Sequence, residues 1–167
     1  MNLPPRWHWL WTALVVVVND QVSKLAIVTY TPEDYHRVII PGVFNLAHRH
    51  NTGVAFSMFA DVDSPWLARL LILFSFVVMA VLVFLLATGR ASNRRTRLGL
   101  AAILGGAAGN LLDRLVHGSV VDFLDFHAGP YHWPAFNLAD SAITVGAFIA
   151  LLDLMREPHS PAPKQRE

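Results

Sequence analysis

The stretch Gly109–Phe126 carries an asparagine, an arginine and three aspartates directly after a run of apolar and small residues. Two carboxyl groups held close together do not both ionise easily, so the pair retains one proton at a pH where an isolated aspartate holds none. The ionised partner can take a proton from water, while the protonated partner polarises an amide carbonyl and later protonates the leaving amine. Asp122 and Asp140, at the two ends of one short segment, are candidates for this hydrolytic chemistry.

The composition indicates where such residues must be positioned. Of the 167 residues, 54% are hydrophobic and 15% are charged, against roughly 25% charged residues in an average soluble domain. The composition therefore predicts a membrane protein. The absence of cysteine excludes a disulfide, a thiolate nucleophile and a Cys-ligated metal. The formal net charge of +1 neither favours nor excludes an acidic partner.

Four segments have the length and hydrophobicity of membrane spans, since a helix of about 20 apolar residues crosses a ~30 Å hydrocarbon core. They cover about residues 7–30, 66–87, 98–116 and 136–155, and the second is the clearest. The segment of about 31–64 is rich in β-branched and aromatic residues around a Pro41-Gly42 turn, which favours short strands. The predicted fold is an α-helical integral membrane protein, a bundle of four transmembrane helices with a small extracytoplasmic β-rich segment.

The domain prediction is a single membrane domain over residues 1–157, followed by a disordered tail over 158–167. A cleavable signal peptide is an alternative for the first span, with Arg6 as its basic flank. However, Asn19-Asp-Gln-Val-Ser-Lys24 follows where a small-residue cleavage site is required. A retained helix is therefore preferred.

The distribution of basic residues predicts the topology. Basic residues are concentrated in the N-terminus, in the link between the second and third spans, and in the tail. They are Arg6, then Arg90, Arg94, Arg95 and Arg97, then Arg156, Lys164 and Arg166. By the positive-inside rule these regions are cytoplasmic, as are both termini. This orientation brings polar residues of three spans to the outer side: Asp20, Lys24, Asn110, Asp113, Arg114, Asn137 and Asp140. Asp122 lies just beyond them, and only Asp153 falls at the inner edge.

Each polar feature also has a structural explanation. Asp20 and Lys24 are spaced for an intrahelical ion pair, and Asn137 is spaced to cap a helix that has Asp140 in its first turn. Asn110 and Arg114 share a helix face beside the small residues Gly105–Gly109, which favours close helix packing. Their common depth is better explained by a functional site, because ionisable residues in a membrane usually face the bundle interior and mark function.

Other functions remain open at this point. A proton or ion relay would place polar groups at several depths along a path, whereas all but Asp153 lie toward one side. A structural subunit that binds a partner helix would account for Gly105–Gly109 but not for Asp122 with Asp140. His48 and His50 fall on one side of a predicted strand with no evident third ligand, so no metal site is expected.

Five ordered motifs resemble those of bacterial lipoprotein signal peptidase, the type II signal peptidase. They are Asp20-Gln-Val-Ser-Lys24, Asn51-Thr-Gly-Val-Ala-Phe-Ser57, Gly109-Asn-Leu-Leu-Asp-Arg114, Gly118-Ser-Val-Val-Asp-Phe123 and Phe136-Asn-Leu-Ala-Asp140. The resemblance covers about residues 9–155. It implies an aspartic endopeptidase of the bacterial cytoplasmic membrane, with its active site toward the outer leaflet. Its substrate would be a diacylglyceryl-modified prolipoprotein, cut on the N-terminal side of the lipidated cysteine to release the signal peptide.

The resemblance also implies residue roles. The catalytic residues would be Asp122 and Asp140; the substrate-binding or supporting residues would be Asn51, Gly53, Gly106, Asn110, Arg114 and Asn137; and the structural residues would be Asp20, Lys24 and Asp113. Spacing alone does not distinguish Asp125 from Asp122, and the family match selects Asp122. The expected partners are the prolipoprotein and membrane lipid, and the enzyme is expected to be a monomer with no cofactor, metal or nucleic acid.

Overall fold

The computed structural model describes residues 8–53, 65–91 and 93–156. Four helices, α1 (His8–Tyr30), α2 (Pro65–Ala87), α3 (Arg94–His117) and α4 (Leu138–Arg156), are each long and apolar enough to cross a membrane. Four strands connect them, β1 (His36–Ile40), β2 (Phe44–Asn51), β3 (Val120–Ala128) and β4 (Tyr131–His132). The predicted fold, a four-helix membrane bundle with a small sheet, is confirmed.

The ends of α3 follow from specific capping residues. The helix begins at Arg94, four residues before the predicted span, because the side-chain Oδ1 of Asn93 accepts a hydrogen bond from the Arg95 N–H at 3.2 Å. It ends at His117, and the following Gly118 has the left-handed φ of 74° and donates its N–H to the Arg114 carbonyl at 3.2 Å. The chain therefore turns directly from α3 into β3. Trp7, residues 54–64 and the predicted tail lie outside the described residues.

Small residues allow α3 to pack closely against its neighbours. A Cβ atom added to Gly105 would lie 2.6 Å from the Ala13 carbonyl oxygen of α1, and one added to Gly99 would lie 2.6 Å from the Gly146 carbonyl oxygen of α4. Only glycine permits backbones to approach this closely. By contrast, α2 leaves large apolar side chains exposed along its length, including Leu70, Leu73 and Phe74, as expected of a surface in contact with lipid.

The strands form one antiparallel sheet in the order β1-β2-β3-β4. The sequence predicted strands only within about 31–64, whereas β3 and β4 come from the link between α3 and α4, 118–137. No alternating pattern marks β3, since Val120–Phe123 are all buried, and aspartate is depleted in strands. Val121 and Phe123 pack against Ile27 and Leu138. The sheet therefore rests on the end of α1 and the beginning of α4.

The bundle has two distinct ends. At the sheet end, α1 and α3 finish and α2 and α4 begin; at the opposite end, α2 and α4 finish and α3 begins. The polar residues that the sequence predicted at a common depth lie at the sheet end, and Asp153 lies at the opposite end. The sheet end therefore contains the candidate site.

Candidate active site

Asp122 lies in β3 with only 1% of its surface exposed. Its Oδ2 atom accepts a hydrogen bond from the Asn51 Nδ2 atom at 2.8 Å, and its Oδ1 atom accepts one from the Asn137 Nδ2 atom at 2.8 Å. Asn51 ends β2, which pairs with β3, and Asn137 precedes α4. Two neutral amide donors from separate elements thus hold this carboxyl group.

Asp140 lies in the first turn of α4 and is 6% exposed. Its Oδ1 atom accepts a hydrogen bond from the Asn110 Nδ2 atom at 2.8 Å. Its backbone N–H donates to the Asn137 Oδ1 atom at 2.9 Å, so Asn137 is the predicted N-cap. Because the same Asn137 side chain donates to Asp122, one amide fixes both aspartates relative to each other.

A short bridge between β3 and the beginning of α4 brings these two aspartates together. The Phe136 N–H donates to the Leu124 carbonyl at 3.0 Å, and the Leu124 N–H donates to the Phe136 carbonyl at 2.8 Å. The residue after Phe136 is the cap, and Asp140 follows within one helical turn. The local fold therefore places the beginning of α4 beside Asp122.

The environment of Asp122 changes its acidity. Burial raises its pKa to about 7, opposed first by the hydrogen bond from Asn51. The negative charge of Asp140 raises it further, while the Asn137 hydrogen bond and the charge of Lys24 lower it. Asp122 is thus within electrostatic range of Asp140 and retains a substantial fraction of its proton at neutral pH.

Lys24 connects α1 to α3 behind the pair. Its Nζ atom lies 2.8 Å from Asp20 Oδ2 and 2.7 Å from Asp113 Oδ2, and it donates to the Asn110 Oδ1 atom at 2.8 Å. The predicted intrahelical ion pair is present, but Lys24 also neutralises a carboxylate of α3. The Asn110 Nδ2 atom donates in turn to Asp140, so the Asn110 side chain links the Lys24 cation to the aspartate pair.

Gln21 belongs to the same network, although its sequence motif did not single it out. Its Nε2 atom donates to Asp113 Oδ1 at 2.8 Å and lies 3.2 Å from both Asp20 Oδ2 and the Gly109 carbonyl. The Asp20 Oδ1 atom accepts the Ala139 N–H at 2.9 Å, which ties α1 to α4. The sequence signal that could have identified Gln21 is its position next to Asp20 in the first motif.

Arg114 secures the end of β2. Its Nη2 atom donates to the Gly53 carbonyl at 2.7 Å and its Nη1 atom to the Asn110 carbonyl at 3.3 Å. The Gly53 N–H donates in turn to the Asn51 Oδ1 atom at 2.8 Å. Asp113 forms its ion pair with Lys24 and not with the adjacent Arg114, which binds backbone carbonyls instead. The remainder of this motif, Val54–Ser57, lies outside the described residues.

Gly106 and Gly109 bring α3 into contact with the site elements. A Cβ atom on Gly106 would collide with the Ala139 carbonyl oxygen, directly before Asp140. A Cβ atom on Gly109 would collide with the Asp20 carboxylate. These two positions therefore determine how closely α3 approaches α4 and α1 at the sheet end.

Asp125 lies on the opposite face of β3 from Asp122, as the odd spacing along a strand requires. It is 3% exposed, accepts a hydrogen bond from Asn45 Nδ2 at 3.1 Å and lies 3.0 Å from His132 Nδ1. Burial would raise its pKa, but hydrogen bonds from His132 and Asn45, together with the charges of His132 and Arg49, outweigh burial and lower it. It is an ionised carboxylate with a structural role in the sheet.

The two neighbouring histidines of β2 have separate partners. His48 Nδ1 lies 3.1 Å from the Pro32 carbonyl, and His50 Nδ1 lies 3.0 Å from the Ser119 hydroxyl. Within residues 8–53, 65–91 and 93–156, no group of three or more His, Asp or Glu side chains is arranged to hold a metal ion. The histidines therefore fit a role in holding the sheet to its loops.

The fold and site together define a membrane-embedded protein with a buried pair of carboxyl groups at one end of its helical bundle. The chain belongs to the Signal peptidase (SPase) II family, whose sequence pattern matches residues 12–156. It is therefore a protease and a multi-pass protein of the bacterial inner membrane.

Individual relatives agree with this assignment. The chain is 43% identical to a lipoprotein signal peptidase of Vibrio cholerae, over 95% of this chain and 92% of the relative. It is 45% identical to a lipoprotein signal peptidase of Aeromonas hydrophila, over 89% of each. A solved structure of a bacterial membrane enzyme, determined by the in meso method, matches with a TM-score of 0.80 and 25% identity, over 96% of this chain and 94% of that one.

Proposed function

We propose that this protein is an aspartic endopeptidase that removes the signal peptide from diacylglyceryl-modified bacterial prolipoproteins, cutting on the N-terminal side of the lipidated cysteine. The observation that carries the proposal is the pairing of Asp122 and Asp140 through the single side chain of Asn137. The relatives named lipoprotein signal peptidase support the substrate class.

The aspartate pair would supply both halves of the acid–base chemistry. The Asp140 Oδ1 atom is occupied by Asn110, whereas its Oδ2 atom has no hydrogen-bond partner in the part of the chain that the structure describes. Oδ2 is therefore available to accept a proton from water. Asp122, whose pKa is raised to about 7, is suited to carry a proton at the start of the reaction and to donate it to the scissile carbonyl.

The proton movements then balance over the reaction. Water adds to the carbonyl carbon while its proton passes to Asp140 and the Asp122 proton passes to the carbonyl oxygen. When the C–N bond breaks, Asp140 returns its proton to the leaving amine and Asp122 recovers one from the hydroxyl group. The pair finishes with the single proton with which it began.

Arg114 is proposed to orient the substrate as well as β2. Its Nε atom is buried and has no hydrogen-bond partner among the described residues, while both terminal nitrogens bind backbone carbonyls. A substrate carbonyl or lipid ester would supply the missing acceptor. Cleavage and protein level that are both unchanged in Arg114→Lys and Arg114→Ala would contradict this role.

The sheet end is proposed to face the outer side of the membrane. Arg90, Arg94, Arg95 and Arg97 lie at the opposite end of the bundle, and the positive-inside rule makes that end cytoplasmic. Both termini would then be cytoplasmic. The prolipoprotein signal peptide is itself a membrane helix, so a site at the bilayer boundary would receive its scissile bond without moving it into water. A single chain contains the whole aspartate pair, which fits a monomeric enzyme.

The test is cleavage of a diacylglyceryl prolipoprotein by the purified chain in detergent, with the products identified by mass spectrometry. The expected product begins with the lipidated cysteine. Asp140→Asn should lower the rate by about 10²–10⁴-fold, the range of general acid–base contributions. Asp125→Asn, which changes a similarly buried aspartate on the face of β3 opposite Asp122, should cleave at nearly the native rate. A folded Asp140→Asn protein with native activity would contradict the mechanism.

A further inference from the structure

An open groove of about 450 Å³ lies at the opposite end of the bundle, between the last turns of α2 and α4 and the first turns of α3. Leu85, Leu100, Leu151 and Leu154 form its apolar wall, and Arg90 and Thr96 contribute polar side chains. Leu151 and Leu154 are 55% and 69% exposed, so the wall continues into the lipid-facing surface of α4. The groove is therefore accessible from the membrane.

The polar side of the groove carries the positive charge of Arg90, which belongs to an arginine-rich link. The link from Thr88 to Arg97 contains four arginines and no acidic residue. Within the described ranges, Arg90, Arg94, Arg95 and Arg97 make no salt bridge to a carboxylate. The Arg90 guanidinium carbon lies 4.9 Å from the centre of the Phe84 ring, which holds this side chain near the end of α2.

Among the described residues, Asp153 accepts hydrogen bonds from neutral side chains rather than from these arginines. It is 5% exposed, its Oδ1 atom accepts a hydrogen bond from Asn93 Nδ2 at 2.8 Å, and its Oδ2 atom accepts the Thr96 hydroxyl proton. The carboxylate is therefore buried between α3 and α4, and each of its oxygens accepts a hydrogen bond from a neutral donor. The groove combines an apolar wall with the Arg90 guanidinium, which has no carboxylate partner within the described ranges.

We propose that this groove binds an anionic phospholipid, with the phosphate at Arg90 and an acyl chain along the leucine wall. Phosphate oxygens match the guanidinium fork, and basic pockets between membrane helices are suited to anionic head groups. A zwitterionic lipid would bring its own cation to the arginines and gain less. The site is separate from the aspartate pair, so the inference does not rest on the proposed protease mechanism.

The test is native mass spectrometry of the purified full chain titrated with phosphatidylglycerol or phosphatidylcholine. Phosphatidylglycerol should bind more tightly than phosphatidylcholine, and Arg90→Gln should weaken its binding about fivefold, the effect of one basic residue at a membrane surface. Arg69→Gln is the matched control, because it removes one arginine from the other end of α2. Arg90→Lys keeps the charge and should retain most of the binding.

The apolar wall needs its own variant. Leu151→Trp should fill the groove and weaken phosphatidylglycerol binding, whereas Val145→Trp on the same helix, 56% exposed and outside the groove, should not. Equal retention of the two lipids by the native chain would overturn the proposal. Equal phosphatidylglycerol binding by Arg90→Gln and Arg69→Gln would overturn it as well, as would an unchanged affinity in Leu151→Trp.

Discussion

Both ends of the bundle bury carboxyl groups, but these groups differ in their neighbours. At the opposite end, Asp153 is single, both its oxygens accept side-chain hydrogen bonds, and it sits at the N-terminus of α3, where the helix dipole favours negative charge. At the sheet end, Asp122 and Asp140 lie within electrostatic range of each other, and asparagine amides are their side-chain donors.

Asp153 and Asp140 show which property separates a structural acid from a candidate catalytic one. Burial is nearly the same for Asp153 and Asp140, at 5% and 6% exposure, so burial alone does not distinguish them. What differs is a neighbouring acid of like charge, which disfavours double ionisation and keeps a proton in the pair. Asp153 holds α3 to α4 through its hydrogen bonds, whereas Asp122 and Asp140 form the pair that is proposed to share and transfer a proton.

Lys24, the cation buried at the sheet end, should make the greatest difference to stability. Lys24→Met leaves Asp20 and Asp113 buried without their positive partner and should destabilise the protein by about 3–5 kcal/mol. Thermal unfolding in detergent would measure this loss. The triple variant Asp20→Asn, Lys24→Met, Asp113→Asn removes the stranded charges as well and should recover most of the stability; no recovery would show that Lys24 acts through packing.

A second prediction follows from the acidity of Asp122. Its pKa is raised from 3.8 to about 7 in the folded protein, so its contribution to stability is fully present below about pH 4 and is lost as the pH rises through about 7. At pH 8, Asp122→Asn should therefore be more stable than the native protein by about 2–4 kcal/mol. Unfolding measured at pH 4 and pH 8 checks this, and an equal difference at the two pH values would contradict it.

A third prediction compares close helix packing at the two ends. Gly106→Ala and Gly99→Ala each force a Cβ atom into a carbonyl oxygen of α4, and each should cost about 1–3 kcal/mol. Only Gly106 faces the residue before Asp140, so Gly106→Ala should also reduce the cleavage rate per folded molecule. If Gly99→Ala reduced that rate equally, the two ends would not be functionally distinct.

The smallest expected effect concerns the partner of Asp153. Asn93→Ala removes both the N-cap of α3 and a donor to Asp153, and it should cost about 1–2 kcal/mol without changing the cleavage rate. Asn19→Ala removes a hydrogen bond on an exposed helix surface and should change stability by less than about 0.5 kcal/mol. Similar melting temperatures for the two variants would count against the structural role of the Asn93–Asp153 contact.

Much of this architecture could be predicted from the sequence because hydrophobic length and basic flanks are strong local signals. The four spans, the Asn137 cap and the Asp20–Lys24 contact all depend on neighbours within a few residues. The candidate site residues could be named from the family motifs. Their assignment to catalysis stays a prediction.

The remaining features depend on contacts between distant segments. Strand β3 is buried on both faces and carries two aspartates, so neither alternation nor propensity identified it. The partner of Asp113 is Lys24 on another helix rather than the adjacent Arg114, and the role of Gln21 appears only where α1 meets α3. The beginning of α3 at Arg94 also depends on Asn93, whose capping signal is only one residue long.

The proposed catalytic role of Asp122 is tested by measuring prolipoprotein cleavage by Asp122→Asn and Asp153→Asn side by side. The melting temperature of each variant verifies that it is folded. Each variant replaces one buried aspartate by its neutral isostere, at opposite ends of the bundle. Asp122→Asn is expected to remain folded and lose about 10²–10⁴-fold in rate, whereas Asp153→Asn should lose stability and keep its rate per folded molecule. Native cleavage by folded Asp122→Asn, or an equal loss of rate in the two variants, would contradict a catalytic role for Asp122.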